Sequence, residues 1–259
     1  MAENSGIEWT THTFNPWWGC VRVSPGCQKC YAETSAHRWG HDIWGVDKPR
    51  RFFGDKHWNE PVKWNKEAEG KHDPTFVFSA SMSDWLEDRN DLVEPRLRLM
   101  KLIEDTPHLT WLLLTKRIEN AIYMADRWLD GAPKNVWFGA STEDQKRYDE
   151  RIDILRELKI HFDATKVWLS IEPQLGPIDL RGKFVDWAII GGESGPGCRP
   201  FDIEWARSLR DQCRVLGIPF FLKQLGGHPD KVHQMEQFPE DLRIREFPEG
   251  DKSNLNIRV

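Results

Sequence analysis

The sequence predicts an α/β fold whose parallel sheet closes, fully or partly, into a (β/α) barrel, and three observations lead there. From about residue 75, short apolar runs alternate with longer amphipathic ones. The short runs lack polar alternation, as expected of parallel strands covered on both faces. About seven such units suit a barrel better than a doubly wound sheet, and no GxGxxG or Walker-type loop opens the first helix.

In chain order, the first strand is expected within Thr11–Trp17. The others are expected at Phe76–Ser79, Thr110–Leu114, Val136–Gly139, Val167–Ile171, Trp187–Ile190 and Pro219–Leu222. Helical text fills the intervals. Ile152, Leu155 and Leu158 recur at threes after Thr142, which with Gln145 reads as a capping box. Asp202 is placed to cap a helix whose apolar stripe carries Trp205, Leu209, Cys213 and Leu216. Cys213 is therefore expected in the core. Two stretches fall outside the alternation. Residues 32–74 form an insertion after the first strand, rich in Trp, His and Arg. Beyond the barrel domain at 1–227, residues 228–259 form a polar carboxy-terminal extension, a loop or a peripheral strand such as Leu242–Phe247.

Composition narrows the class. The chain has 259 residues, of which 30% are charged and 39% belong to the apolar set, and no apolar run approaches a membrane span. Met1–Gly6 has neither the basic flank nor the apolar stretch of a secretory signal, so a cytoplasmic location is expected. The net charge of −5 has the wrong sign for steering onto phosphate, so any nucleic-acid surface has to be a local patch. Fourteen tryptophans stand beside only three tyrosines. Five cysteines, an odd number, argue against a disulfide framework and make clustered cysteines a metal question.

Cys20, Cys27 and Cys30 carry the strongest signal. Their C-x6-C-x2-C spacing is turned by Pro25 and Gly26. Thiolates are the soft ligands that zinc and iron–sulfur clusters need. A structural zinc site wants four ligands, and His12, His37 or His41 could supply the fourth. A catalytic cluster can instead leave one iron open. Cys198, in the glycine-rich stretch 191–198, could be a remote ligand, a hydrogen donor to a radical or an incidental small residue.

Polar residues gather just after the expected strands: Ser79, Ser81 and Asp84; Thr115, Lys116 and Arg117; Ser141 and Thr142; Ser170 and Glu172; Glu193 and Ser194. Strand C-termini build the active sites of barrels. Capping of the next helix accounts for Thr142 but not for Lys116, Glu172 or Glu193, since a cation near a helix start opposes its dipole.

Together, Trp9-Thr10, Asn15-Pro16-Trp17, the cysteine triplet followed by Tyr31-Ala32, Thr115-Lys116-Arg117, Ser170-Ile171-Glu172-Pro173 and Gly191–Gly195 resemble the phage-associated three-cysteine-motif proteins. That family, filed as a domain of unknown function, is related to radical S-adenosylmethionine (SAM) enzymes. The resemblance spans roughly residues 7–227. It implies a partial barrel with a [4Fe–4S] cluster held by Cys20, Cys27 and Cys30 and SAM on the fourth iron. An external one-electron reductant, flavodoxin-like, would drive cleavage of SAM to a 5′-deoxyadenosyl radical that takes hydrogen from the substrate. By similarity to the spore photoproduct lyase branch, Lys116 would pair with the SAM carboxylate. Ser81 and Ser141 would bond its methionyl or ribose groups, and Asp84 and Tyr31 join the cofactor-binding set. Glu172 and Glu193 would face ribose or substrate and, with Cys198, form the catalytic set. The first cysteine interval is three residues longer than the usual C-x3-C-x2-C. The aromatic that commonly precedes the last cysteine is displaced to Tyr31, with Lys29 in its place.

The insertion interleaves Arg38, Lys48, Arg50, Arg51, Lys56 and Lys63 with Trp39, Trp44, Phe52, Phe53, Trp58 and Trp64. Cations for phosphates and aromatic faces for bases are the ingredients of a nucleic-acid surface. The same residues also suit a cover whose tryptophans pack on the barrel with arginines stacked over them. Phage association points to a nucleotide or DNA base as substrate, with an isomerase or lyase acting in DNA hypermodification inside a bacterial host. One example is radical rearrangement of an amino-acid adduct on thymidine. Two other functions compete: a zinc-stabilised nucleic-acid-binding or adaptor protein, and a radical lyase that repairs DNA photolesions.

Overall fold

The computed structural model describes residues 5–248 except 129, 164, 165 and 183. In chain order the elements are β1 (His12–Phe14), β2 (Trp17–Trp18), α1 (Tyr31–Arg38), β3 (Arg51–Phe52), α2 (Asp55–Trp58), α3 (Glu60–Ala68), β4 (Thr75–Ser79), α4 (Val93–Glu104), β5 (Leu109–Thr115), α5 (Ala121–Met124), β6 (Val136–Ser141), α6 (Gln145–His161), β7 (Lys166–Ile171), β8 (Trp187–Gly191), α7 (Ile203–Leu216) and β9 (Phe220–Gln224). Seven strands form one parallel sheet in the order β1-β4-β5-β6-β7-β8-β9, so each strand lies beside its sequence neighbour in the sheet. The curled sheet makes a half-barrel, the partial form of the expected architecture. Among the described residues, no helix is long and apolar enough to cross a membrane.

Both faces of the sheet are apolar, which is why the strands read as unbroken runs. Val77, Trp111, Leu113, Phe138, Val167, Leu169, Ala188 and Ile190 face outward into the helix layer. The residues between them face inward: Phe76, Phe78, Leu112, Trp137, Trp168, Trp187, Ile189 and Phe221 form a second core with Trp9. Four of the fourteen tryptophans stand in this plug. Trp9 packs against Phe78 at 4.6 Å and Trp168 at 5.4 Å, and Trp168 donates its indole N–H to the Trp137 carbonyl at 3.3 Å. At Gly139 a Cβ would overlap the Trp168 ring, so the plug forms only because that position has no side chain.

Three expectations change in detail. The first strand stops at Phe14; Asn15 and Pro16 end it, and Trp17–Trp18 pair antiparallel with Arg51–Phe52 in a separate ribbon. The Thr142–Gln145 capping box does not form. β6 runs on to Ser141, the Thr142 N–H continues the ladder to the Ser170 carbonyl at 2.9 Å, and Asp144 caps α6 by accepting from the Arg147 N–H at 2.9 Å. Asp202 does cap its helix, accepting from the Glu204 N–H at 3.0 Å, and Cys213 is fully buried. The 32–74 insertion is only partly an insertion. Its second half, α2 and α3, supplies the crossover cover of β1: Trp64 stacks on His12 at 4.3 Å and Trp58 meets Phe14 at 5.3 Å.

Residues after β9 return to the sheet. The Leu222 N–H donates to the Ile244 carbonyl at 3.0 Å and the Glu246 N–H to the Phe220 carbonyl at 2.9 Å, an antiparallel pairing along β9's outer edge. The expected peripheral strand at Leu242–Phe247 is thus a short bridge after a 3₁₀ turn at Glu240–Leu242. Phe247 then reaches the aromatic plug, 5.2 Å from Trp187 and 5.5 Å from Phe221. Residues 249–259 of the extension lie outside the described residues.

Candidate active site

Following the inward positions along each strand by twos leads from aromatic to polar residues. Leu112 and Leu114 lead to Lys116; Trp137 and Gly139 to Ser141 and Glu143; Trp168 to Ser170 and Glu172; Ile189 and Gly191 to Glu193; Phe221 to Lys223. The half-barrel is therefore filled with rings at the bottom and lined with polar groups at the C-terminal ends of its strands. There it holds a cavity of about 380 Å³, within the ~300–1,000 Å³ range of small-molecule sites. Its apolar floor includes Trp9, Phe78 and Leu114. All three motif cysteines line it, together with Tyr31, Ser81, Asp84, Lys116, Ser141, Glu172 and Glu193. Cys198 alone among the expected site residues is not part of the described wall; its N–H closes a turn onto the Gly195 carbonyl at 3.0 Å.

The cysteine loop lies across the top of the barrel. Pro25–Cys27 form a 3₁₀ turn, and Cys30 sits at the N-cap of α1. Three strand-end residues hold it. After β5, the buried Arg117 donates to Cys20 Sγ at 3.5 Å and to the Val21 carbonyl at 2.7 Å, and it pairs with Asp84 at 2.9 Å. After β6, Glu143 accepts from the Gly26 N–H at 3.2 Å and pairs with Arg151 at 2.9 Å. After β8, Glu193 grips Arg199 through Nη2 at 2.5 Å and Nε at 2.9 Å, and Arg199 donates to the Pro25 carbonyl at 3.0 Å. Thiol protonation follows burial. Burial pushes Cys20 up to about 12 against the pull of Arg117. It raises Cys30 too, against the N–H groups of Glu33 and Ala32 at the helix start.

The other expected residues are divided between the protein and the cavity. Asp84 spends both oxygens inside the protein, accepting from Thr115 Oγ1 at 2.7 Å, the Lys116 N–H at 3.0 Å and Arg117. Ser81 accepts from the Asn15 amide at 2.9 Å, and the Tyr31 hydroxyl donates to the Ser81 carbonyl at 2.8 Å. Lys116 reaches across one strand to donate to Ser141 Oγ at 2.6 Å. Glu172 accepts from Lys223 Nζ at 2.6 Å. Burial works against ionisation of Glu143 and Glu193, yet Lys116 and Arg151 around the first, and Arg199 on the second, hold both below the ordinary carboxylate range.

Reading the sequence picks out Glu193 but misses Glu143, Arg199 and Lys223. The signal for two of them was parity: Glu143 and Lys223 stand an even number of places after inward-facing Trp137 and Phe221. No such signal marks Arg199. Of the histidines, His12 lies under α3 against Trp64, and His41 contacts Arg51 at 2.5 Å on the exposed side of the ribbon. Among the described residues lining the cavity there is no histidine and no fourth cysteine.

No curated protein and no solved structure matches the chain. The family described as "Protein of unknown function (DUF5131)" matches residues 4–247, nearly the whole of the barrel and its returning tail. The chain therefore belongs to the DUF5131 family.

Proposed function

We propose that this chain is a radical SAM enzyme that acts on a nucleobase-type substrate, of the isomerase or lyase class, in phage DNA hypermodification. One observation carries the reading: three thiols from one loop face a cavity at the C-terminal end of a parallel half-barrel. The chemistry of the donors suits the group, although among the described residues no three Cys, His, Asp or Glu side chains are gathered closely enough to hold a metal ion. Soft sulfur ligands are what an iron–sulfur cluster needs, and the cysteines are held on a loop fixed at three separate points. Cys20, Cys27 and Cys30 would hold a [4Fe–4S] cluster, and Lys116, Ser81 and Ser141 would bind SAM. When bound and reduced by a flavodoxin-like donor, that pair supplies a 5′-deoxyadenosyl radical.

The chain's own residues contribute position and exclusion. Arg117 orients the Cys20 sulfur and neutralises the largely buried Asp84 at the cavity wall. Lys116, already bonded to Ser141, presents a fixed cation to a carboxylate. The floor of the cavity, with Trp9, Phe78 and Leu114, is apolar. Anaerobic reconstitution with iron and sulfide, followed by dithionite and SAM, is expected to yield 5′-deoxyadenosine. A colourless protein holding one zinc and yielding none overturns the proposal.

One observation favours the second reading, a zinc-stabilised nucleic-acid-binding protein. Trp39 is 55% exposed and Phe52 47%; Trp39 stacks on Trp18 at 5.3 Å, and Arg51 lies over Trp18 at 4.8 Å. Trp44, Trp58 and Trp64 from the same insertion are buried. The second reading requires salt-sensitive DNA affinity independent of SAM, with Lys116 replaceable.

A further inference from the structure

The cavity has a second cationic end. Lys116 stands after β5, whereas Lys223 is on β9, four strands further along the sheet, and Lys231 follows it. After β9 the chain turns at Gly226 and Gly227 and comes back. The Leu225 N–H donates to the Val232 carbonyl and the Val232 N–H to the Gly226 carbonyl, both at 2.9 Å. The turn is tied down by the Gly227 N–H to the Glu193 carbonyl at 3.0 Å. Gly226 has φ +82°, and a Cβ there would overlap that same carbonyl, so the approach requires glycine. The result is that the turn places Lys231 at the cavity wall.

Around Lys231 lie Lys223, Arg245, Glu172 and Glu8, and Arg245 has Glu236 beside it as well as Glu8. Lys223 is committed to Glu172 at 2.6 Å, and Arg245 to the carbonyls of Leu222, Lys223 and His233. The Lys231 carbonyl meets His233 Nδ1 at 3.1 Å, whereas its ammonium makes no hydrogen bond or ion pair with any described residue, although the residue lines the cavity. Lys231 is exposed at the mouth of the cavity, and desolvation there, with the nearby Lys223, pulls its pKa down from the ordinary lysine value. With Lys223 already answered by Glu172, the Lys231 ammonium is the cation at this wall left for an anion entering from the cavity.

The geometry points to an anion subsite at Lys231, with the Lys223–Glu172 pair beside it, that takes a carboxylate or phosphate group carried by the substrate. It rests on reading the cavity as a substrate site but not on the cluster, and it separates the substrate's anion from the one assigned to Lys116. Calorimetric titration of the full-length, metal-free protein tests it with three probes: thymidine 5′-monophosphate, glutarate and uncharged thymidine. At least one anion is expected to bind more tightly than thymidine, and which one it is names the source of the group. Lys231→Ala is expected to weaken that binding about ten- to hundredfold. Lys231→Arg is expected to retain it, and Lys146→Ala, on the exposed face of α6, to leave it unchanged. No saturable binding of either anion, or equal affinity in Lys231→Ala, overturns the inference. Because iron and SAM are absent, a protein unable to form 5′-deoxyadenosine can still pass this test, and one that forms it can still fail.

Discussion

Buried polar residues in this molecule divide into those that fasten and those that remain for a ligand. Asp84, Glu143 and Glu193 look alike in sequence to Glu172, each an acid just past a strand, yet the first three hold Arg117, the Gly26 N–H and Arg199. Arg50 does the same for the outer cover, pairing with Glu87 at 2.5 Å and donating to the carbonyls of Ile43, Gly45 and Lys48. His12 shows the cost of burial without a charged partner. Desolvation, with Lys71 adding to it, lowers its pKa from 6.5 to about 4. Between those values the unfolded chain binds a proton that the folded chain refuses, so this contribution is complete above pH 6.5 and is lost as pH falls toward 4. Thermal melting is expected to fall from about pH 7 to about pH 5, and by less in His12→Phe, which keeps a ring against Trp64. Equal slopes in the two proteins contradict this account.

At the scale of elements, strand register does the selecting. A parallel strand shows an inward and an outward residue in turn, so one side chain too large on the inner face displaces its neighbour's ring. Gly139 and Trp168 are such a pair, on adjacent strands in register with each other. Gly139→Ala is expected to cost about 1–3 kcal/mol in urea unfolding through overpacking, and much of that cost is expected to vanish in a Trp168→Ala background. Additive costs would show that the two positions do not share space. The cysteine loop obeys a different rule. Its turn was legible from Pro25 and Gly26, whereas its anchors come from residues 96–174 positions away in the chain. Only closure of the sheet brings them near.

For the whole molecule, the open half-barrel raises the question of what covers its edges and its interior. Residues 244–246 pair along β9, and Phe247 enters the aromatic plug, so the tail is part of the barrel's closure and protects an edge that would otherwise be free to pair. Phe247→Ala is expected to destabilise the chain by about 2 kcal/mol, because it removes ring contacts with Phe76, Trp187 and Phe221. Unchanged unfolding by guanidinium would make the tail an ornament to the fold.

Local chemistry is what the sequence carries by itself. It determined six of the seven sheet strands to within a residue or two, the α7 cap at Asp202, the core role of Cys213 and, Cys198 apart, a set of residues that line the cavity, though not Lys223. Apolar runs, caps and cysteine spacing act over a few neighbouring positions and can be read there. Tertiary structure alone decided that the barrel stays half open, that α3 covers β1, that Thr142 extends a ladder instead of capping, and that Glu143 and Arg199 serve the loop rather than a ligand. Those outcomes depend on which side chains meet across the curled sheet, and a linear pattern holds no record of distances between strands that lie far apart along it.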